Sequence, residues 1–261
     1  MSISMSAIWD ESAALIRREG HLMVPVALAT VGIGSVISGL AQPETPAAGL
    51  GAISVLGFII GNILGLIGNL ALMALALMSR MSVGESLRLA IARLPKMLGI
   101  AAIFLVALIM MMIPIAIILT MSGAPISANM TAEELPALAV LSALIVGAVL
   151  LYVSARLLTL SATVVDRNPS AIEAIKSSFA STRGIAAKIV GVVLLFFVLT
   201  LVVSGAAASI SGILFGMLGK AVGAPLLGKG LTVLVTGMVS ALLSIVSTVF
   251  GAMLYRKLLA Q

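Results

Sequence analysis

Six stretches of this chain, at positions 20–43, 45–79, 97–132, 135–155, 189–219 and 230–255, contain no Asp, Glu, Lys or Arg. An α-helix needs about 20 apolar residues to cross the hydrocarbon of a bilayer, and each stretch is at least that long. The runs are continuous rather than alternating in hydropathy, which favours helices over the strands of a membrane barrel. Such a chain has too few charges for a water-soluble surface: 9% of its residues are charged and 61% hydrophobic, against about 25% charged in soluble domains. The expectation is an all-α polytopic membrane protein of six transmembrane helices, a single integral membrane domain over residues 1–261.

Orientation follows from the cations. Of the 15 Lys and Arg residues, 13 lie before the first stretch, between the second and third, between the fourth and fifth, or after the sixth. The alternate loops hold only Lys220 and Lys229, with Glu44, Glu133 and Glu134. The positive-inside rule then places both termini in the cytoplasm. Residues 1–20 include Asp10, Glu11, Arg17, Arg18 and Glu19 and have no apolar core, so no cleavable signal peptide is expected there. The third helix is expected to stop near Met121, before Ser122-Gly123-Ala124-Pro125. A net charge of +6 could suggest nucleic acid, but the cations flank apolar runs instead of forming a patch, and Trp9 is the only tryptophan. Nucleic acid is not an expected partner; the bilayer is, with anionic phospholipid at the cytoplasmic face.

Three polar segments on the basic side resemble one another: Trp9-Asp10-Glu11-Ser12 through Arg18, Gly84-Glu85-Ser86-Leu87-Arg88 through Arg93, and Ala171-Ile172-Glu173-Ala174 through Phe179. Each has an acid early, a base later and apolar residues at helical spacing. Leu87, Ile91 and Leu94 form one stripe and Ile172, Ile175 and Phe179 another. The pattern predicts short amphipathic helices lying in the membrane interface. Asn168-Pro169-Ser170 supplies a start signal for the third. The ends of the even-numbered spans also rhyme: Ser79-Arg80, Arg156-Leu157 and Arg256-Lys257. The implied unit is one interfacial helix plus two spans, used three times over residues 1–79, 80–165 and 166–261. The alternative is that any cytoplasmic connector becomes amphipathic and basic.

Arg156-Leu157-Leu158, Thr163-Val164-Val165-Asp166, the run from Pro169 to Phe179 and Thr182-Arg183-Gly184 carry a family pattern. It resembles the membrane domain associated with some glycerophosphoryl diester phosphodiesterases, most sharply over residues 152–184. The closing Tyr255-Arg256-Lys257-Leu258 is similar to how such chains end. That superfamily also includes standalone bacterial membrane proteins of unassigned activity. The resemblance implies a membrane architecture in a bacterial inner membrane. It brings no catalytic residue, because in the two-part enzymes the chemistry belongs to a separate soluble barrel with His and Glu residues, and nothing here matches that barrel.

Candidate sites are therefore polar residues within or beside the spans. Asn62 and Asn69, seven residues apart, share a face of the second helix; they either line a pathway or hydrogen-bond between helices. Thr232, Thr236, Ser240, Ser244 and Thr248 form a hydroxyl stripe at four-residue spacing in the sixth, lining a wet cavity or bonding their own helix or a neighbouring one. Gly57, Gly61, Gly65 and Gly68 favour close helix approach. Pro114 should kink the third span. Arg156 is placed to bind a lipid phosphate, to pair with Asp166, or to snorkel to the headgroups, with Arg167, Lys176 and Arg183 beside it at the interface.

With no Cys and one His, His21, the chain offers no thiolate ligands and no His cluster. No metal spacing, no cofactor motif and no nucleophile–base pair is present, so no metal, cofactor or enzymatic activity is expected. No Asp or Glu lies within a span, which argues against an ion-coupled pump. The leading expectation is a non-enzymatic scaffold or membrane-organising protein, with another membrane protein as partner. The alternative is a transporter or permease component for a lipid or small hydrophobic solute. A water-accessible cavity between spans 2 and 6 would favour transport; solid packing there would favour a scaffold.

Overall fold

The computed structural model describes residues 4–42, 51–78, 80–121 and 136–259, and every regular element among them is helical. Span 1 comprises α1 (Met5–Ala27), a π-helical turn (Leu28–Gly32) and α2 (Ile33–Ala41). Span 2 is α3 (Ala52–Leu77), span 3 is α4 (Val83–Met121) and span 4 is α5 (Ala137–Arg156). Two short helices follow, α6 (Leu160–Arg167) and α7 (Ala171–Ser181). Span 5 is α8 (Ala186–Ala221) and span 6 is α9 (Pro225–Leu259). Six helices are thus long and apolar enough to cross a membrane, and the chain has the architecture of an all-α, multi-pass membrane protein. Span 3 is helical up to Met121, beyond which residues 122–135 are not described, and it continues through both Pro95 and Pro114. The stop signal after it, and Glu44, Glu133 and Glu134, lie outside the described residues.

Each span packs on its chain neighbours, and span 6 returns to pack on spans 1 and 2, closing a ring. An ion pair between Lys257 and Glu11 brings the two ends of the chain together. The core occupies the half of the ring that carries these ends. It contains Ile8, Met23, Leu70, Leu72, Ile100, Val164, Val165, Val249 and Leu254, all nearly inaccessible. Spans 1 and 6 bury 39% and 33% of their most apolar stretch, whereas span 3 buries none and spans 4 and 5 only 6%. Spans 3 to 5 therefore form an apolar arc, suited to contact with lipid tails, beside a packed trio of spans 1, 2 and 6.

Small residues build the trio. A Cβ on Gly61 would overlap the Ser38 hydroxyl and the Gly34 carbonyl, and one on Gly34 would come within 2.5 Å of the Gly61 carbonyl. Gly237 faces the Gly32 carbonyl in the same way across spans 1 and 6. The π-helical turn follows Pro25, which cannot donate a backbone hydrogen bond. Thr30, within that turn, lies against Gly68, and its hydroxyl donates to the Val26 carbonyl at 2.6 Å. The extra residue of the turn thus seats Thr30 on span 2 and Gly32 on span 6 at one level.

Two of the three expected interfacial helices are not separate elements. The first is the opening of α1 and the second the opening of α4; both run unbroken into their spans. The physical reason is length and continuity: nothing between residues 17 and 23, or at Pro95, costs enough to break a helix that tertiary contacts hold. α4 has 39 residues and extends about 58 Å at 1.5 Å per residue, roughly twice the hydrocarbon thickness, so its charged opening projects beyond the membrane. Only α7 is independent. The apolar stripes are split: Ile91 and Ile172 are exposed, whereas Leu87 and Ile175 pack against the core beside the buried small residues Ser86, Ala90, Ala174 and Ser178. Small side chains allow close approach to the bundle.

α6 has no counterpart in the sequence reading. Span 4 stops at Arg156, the chain turns at Leu157–Thr159, and Leu160, Ala162, Val164 and Val165 enter the core. Asn168 then takes a left-handed conformation (φ 51°) that ends α6, and Ser170 starts α7 with a capping box. The Ser170 backbone N–H and hydroxyl both donate to Glu173, at 3.0 and 2.8 Å. Ser82 and Glu85 repeat the arrangement at the start of α4. The hydrogen bonds from Ser170 hold the Glu173 carboxyl below its usual range. Its capping contribution is therefore full above the ordinary carboxylate pKa and is lost as pH falls through the lowered value. Ser170→Ala is expected to cost α7 roughly 1 kcal/mol, seen as faster amide exchange over residues 171–175, and acidification of the wild type should produce the same local change.

Candidate functional site: an intramembrane polar cleft

Toward the face opposite the chain ends, spans 2 and 6 diverge and leave an open cleft of about 910 Å³. Span 1 supplies its back wall through Gly34, Ser35 and Ser38, spans 2 and 6 its sides, and span 5 one flank through Ser204 and Ala208. Four of the expected intramembrane residues, Asn62, Asn69, Thr232 and Thr236, line it together. The Asn62 Nδ2 donates to the Phe58 carbonyl at 2.7 Å, which leaves its Oδ1 without a protein partner among the described residues. An amide oxygen exposed to hydrocarbon is costly, so this atom calls for water or a polar group of a ligand. At the mouth, the Lys229 ammonium donates to the Gln42 carbonyl at 3.1 Å and lines the same cleft.

Neutral hydrogen-bonding side chains share the lining of the cleft with glycines and apolar residues. Thr232 donates to the Gly228 carbonyl at 2.9 Å and Thr236 to the Thr232 carbonyl at 3.1 Å. The Thr236 proton is satisfied within its own helix, that of Thr232 is shared with the Ser211 carbonyl of span 5 at 3.3 Å, and the oxygen lone pairs stay available to the cleft. Gly65 adds no bulk: a Cβ there would meet nothing within 4 Å. The four glycines of span 2 thus divide, with Gly57, Gly61 and Gly68 in close helix contact and Gly65 opening the cleft.

Asn69 marks the floor. Its Nδ2 donates to the Gly65 carbonyl at 3.0 Å and its Oδ1 accepts from the Thr248 hydroxyl at 3.0 Å. Below this bridge lies a second cavity of about 210 Å³, lined by Asn69, Thr248, Ser247, Met97, Leu158 and Ser161 among others. Asn69 and Leu66 line both spaces. A broken polar track therefore runs along spans 2 and 6, interrupted by one side-chain hydrogen bond.

Other expected sites are placed differently. Ser240 and Ser244 line neither cavity; Ser244 donates to its own helix at the Ala241 carbonyl. Four-residue steps drift around a helix of 3.6 residues per turn, so a stripe of this length cannot all face one cleft. Arg156 does not pair with Asp166, whose carboxylate accepts from the Tyr255 hydroxyl at 2.9 Å and lies 3.9 Å from Arg167. Arg156 instead donates to the Thr182 hydroxyl at 3.1 Å and stacks over Tyr152 and Phe179, with guanidinium-to-centroid distances of 5.6 and 5.3 Å. The turn after span 4 prevents the expected pair by carrying Asp166 away into α6. Lys176 and Arg183 are exposed. Sequence reasoning missed the span 1 wall, although Ser35, Ser38 and Gln42 fall on one helical face at steps of three and four.

No protein-family model matches the chain, and neither does any curated protein or solved structure.

Proposed function

We propose that this protein is a transporter or permease component that admits a lipid or small amphiphilic solute to the cleft between spans 2 and 6. The carrying observation is the cleft itself: a solvent-sized space inside a membrane helix bundle, where Asn62, Asn69, Thr232 and Thr236 converge. Pockets of roughly 300–1,000 Å³ with a few placed polar groups are the usual form of small-ligand sites. The cavities on the opposite half of the bundle are several times smaller, about 210 and 160 Å³. The occupant is amphiphilic: a polar group bonds Asn62 and the threonines while its tail leaves past the apolar arc of spans 3 to 5.

The surrounding membrane context is part of the same reading. The cations clustered with the chain ends support an inner-membrane topology with both termini in the cytoplasm. The twin capping boxes at Ser82 and Ser170, and the small buried residue after each of Glu11, Glu85 and Glu173, support descent from a tripled unit. The resemblance of residues 152–184 to phosphodiesterase-associated membrane domains supports a non-catalytic role. The scaffold reading draws on the exposed faces of spans 3 to 5 and predicts no solute movement.

The test is transfer in reconstituted vesicles. Protein in phosphatidylcholine vesicles carrying fluorescent phosphatidylglycerol should speed movement of the tagged lipid between leaflets, read by bleaching with a membrane-impermeant reductant. Asn62→Leu and Thr236→Val should slow it several-fold while melting like wild type. Wild-type vesicles no faster than protein-free ones would sink the proposal and favour the scaffold.

A further inference from the structure

Three arginines from distant parts of the chain line one small pocket on the face that carries the chain ends. Arg18 comes from α1, Arg80 from the connector after span 2 and Arg256 from the end of span 6. The pocket holds about 160 Å³. Its lining includes the buried apolar residues Leu15, Leu75 and Ala76, and one acid, Glu19. Glu19 is engaged by Arg18 at 2.9 Å. Glu11, the nearby acid, is taken by Lys257. Among the described residues, neither Arg80 nor Arg256 has a hydrogen-bond or ion-pair partner.

Three exposed guanidinium-bearing residues brought from distant segments to one pocket raise the local positive potential, which attracts an anion. One carboxylate against three cations leaves the pocket positive. Arg80 also has φ 68°, a left-handed conformation that residues other than glycine and asparagine rarely adopt. Strain of this kind persists where the surroundings impose it, and it clusters at ligand sites. Arginine's planar fork matches phosphate oxygens in pairs. A space of about 160 Å³ has room for a phosphate group.

We infer that Arg18, Arg80 and Arg256 form a binding site for a phosphate-bearing anion of headgroup size. The pocket joins the ends of spans 1, 2 and 6, so the bound anion ties together the three helices that form the packed trio. This site is separate from the intramembrane cleft and does not depend on transport. It is also distinct from the expected interface residues Arg156, Arg167, Lys176 and Arg183, none of which lines this pocket.

Binding to the purified full chain in neutral detergent tests the inference, read as a rise in melting temperature and as retained ligand in native mass spectrometry. The probes are short-chain phosphatidic acid, glycerol 3-phosphate and inorganic phosphate. Wild type should bind at least one. Binding of the lipid alone assigns a membrane headgroup as the source, and binding of the soluble probes as well assigns a free phosphate; either supports the site. Arg80→Gln and Arg256→Gln should each weaken binding about tenfold, the effect of losing one charged contact of about 1.4 kcal/mol, while Lys188→Gln, an exposed cation elsewhere on the same face, should not. Arg80→Gly guards against misfolding, because it relieves the left-handed backbone: it should melt higher than wild type without ligand and yet bind more weakly. No binding by any probe, or equal binding by the Arg80 and Lys188 variants, would overturn the inference.

Discussion

Replacing Gly61 with leucine is expected to stop spans 1 and 2 from assembling, while the same change at Gly65, one turn on, should leave the fold intact and plug the cleft. At Gly61 the first added carbon already overlaps the Ser38 hydroxyl and the Gly34 carbonyl. A flexible side chain can swing aside from such an overlap; a helix backbone moves only with its whole helix. Overpacking a well-filled core usually costs about 1–3 kcal/mol, and a clash with backbone lies at the top of that range or beyond it. Since folded domains hold only about 5–15 kcal/mol in all, Gly61→Leu should appear as aggregated protein in gel filtration or a large drop in melting temperature. Gly65→Leu meets nothing within 4 Å of its Cβ and its side chain enters the cleft. It should melt within a degree or two of wild type and lose most lipid transfer. Equal behaviour of the two variants would mean that the span 1–span 2 contact, and with it the cleft's back wall, is misplaced.

The second large effect is expected at Arg156. Its guanidinium donates to Thr182 and lies over Tyr152 and Phe179, and its backbone carbonyl accepts from the Ser178 hydroxyl at 2.7 Å. Ser178 also bonds the Thr159 hydroxyl at 3.0 Å, so the end of span 4, the turn after it and α7 share one buried network. Arg156→Ala removes a hydrogen bond to a charged group, worth about 1.5–3 kcal/mol, and two cation–π contacts of roughly 0.5–1 kcal/mol each. The loss should be local: amide exchange should rise over residues 171–182 and stay unchanged in α3 and the last half of α9. Lysine should not rescue, because it lacks the planar group that spans both rings and Thr182. Arg167→Ala serves as the contrast, since its exposed contact with Asp166 is worth about 0–1 kcal/mol. If Arg156→Ala leaves exchange in α7 unchanged, the arginine snorkels to the headgroups and does not clamp the helix.

The same residues show how far the sequence could be read. Asn62, Asn69, Thr232 and Thr236 stand out in sequence because polar groups inside apolar runs are rare, and the structure brings them to one cleft. Whether each lined a cavity or bonded a neighbour was not legible, because that depends on residues far along the chain: Thr248 reaches the Asn69 amide across 179 positions. The glycines of span 2 look alike in sequence yet separate into contact and cavity positions. Their roles depend on what span 1 places opposite, and so on the π-helical turn that sets its register. In the amphipathic segments the small residues Ser86, Ala90, Ala174 and Ser178 take the most buried positions, a choice set by how closely the bundle approaches and not by the apolar stripe itself.

Hydropathy along the chain was enough to set the number of spans, their helical nature and the side on which the cations gather, because transfer of a segment into lipid is governed by that segment's own residues. Tertiary structure alone decided where the bundle is solid and where it is open, which acid Arg156 fails to reach, and that Arg18, Arg80 and Arg256 meet around one pocket. Those outcomes are set by helix packing between distant segments, where a single Cβ at a glycine or one added residue in a turn moves whole faces, and no local property of the sequence carries that information.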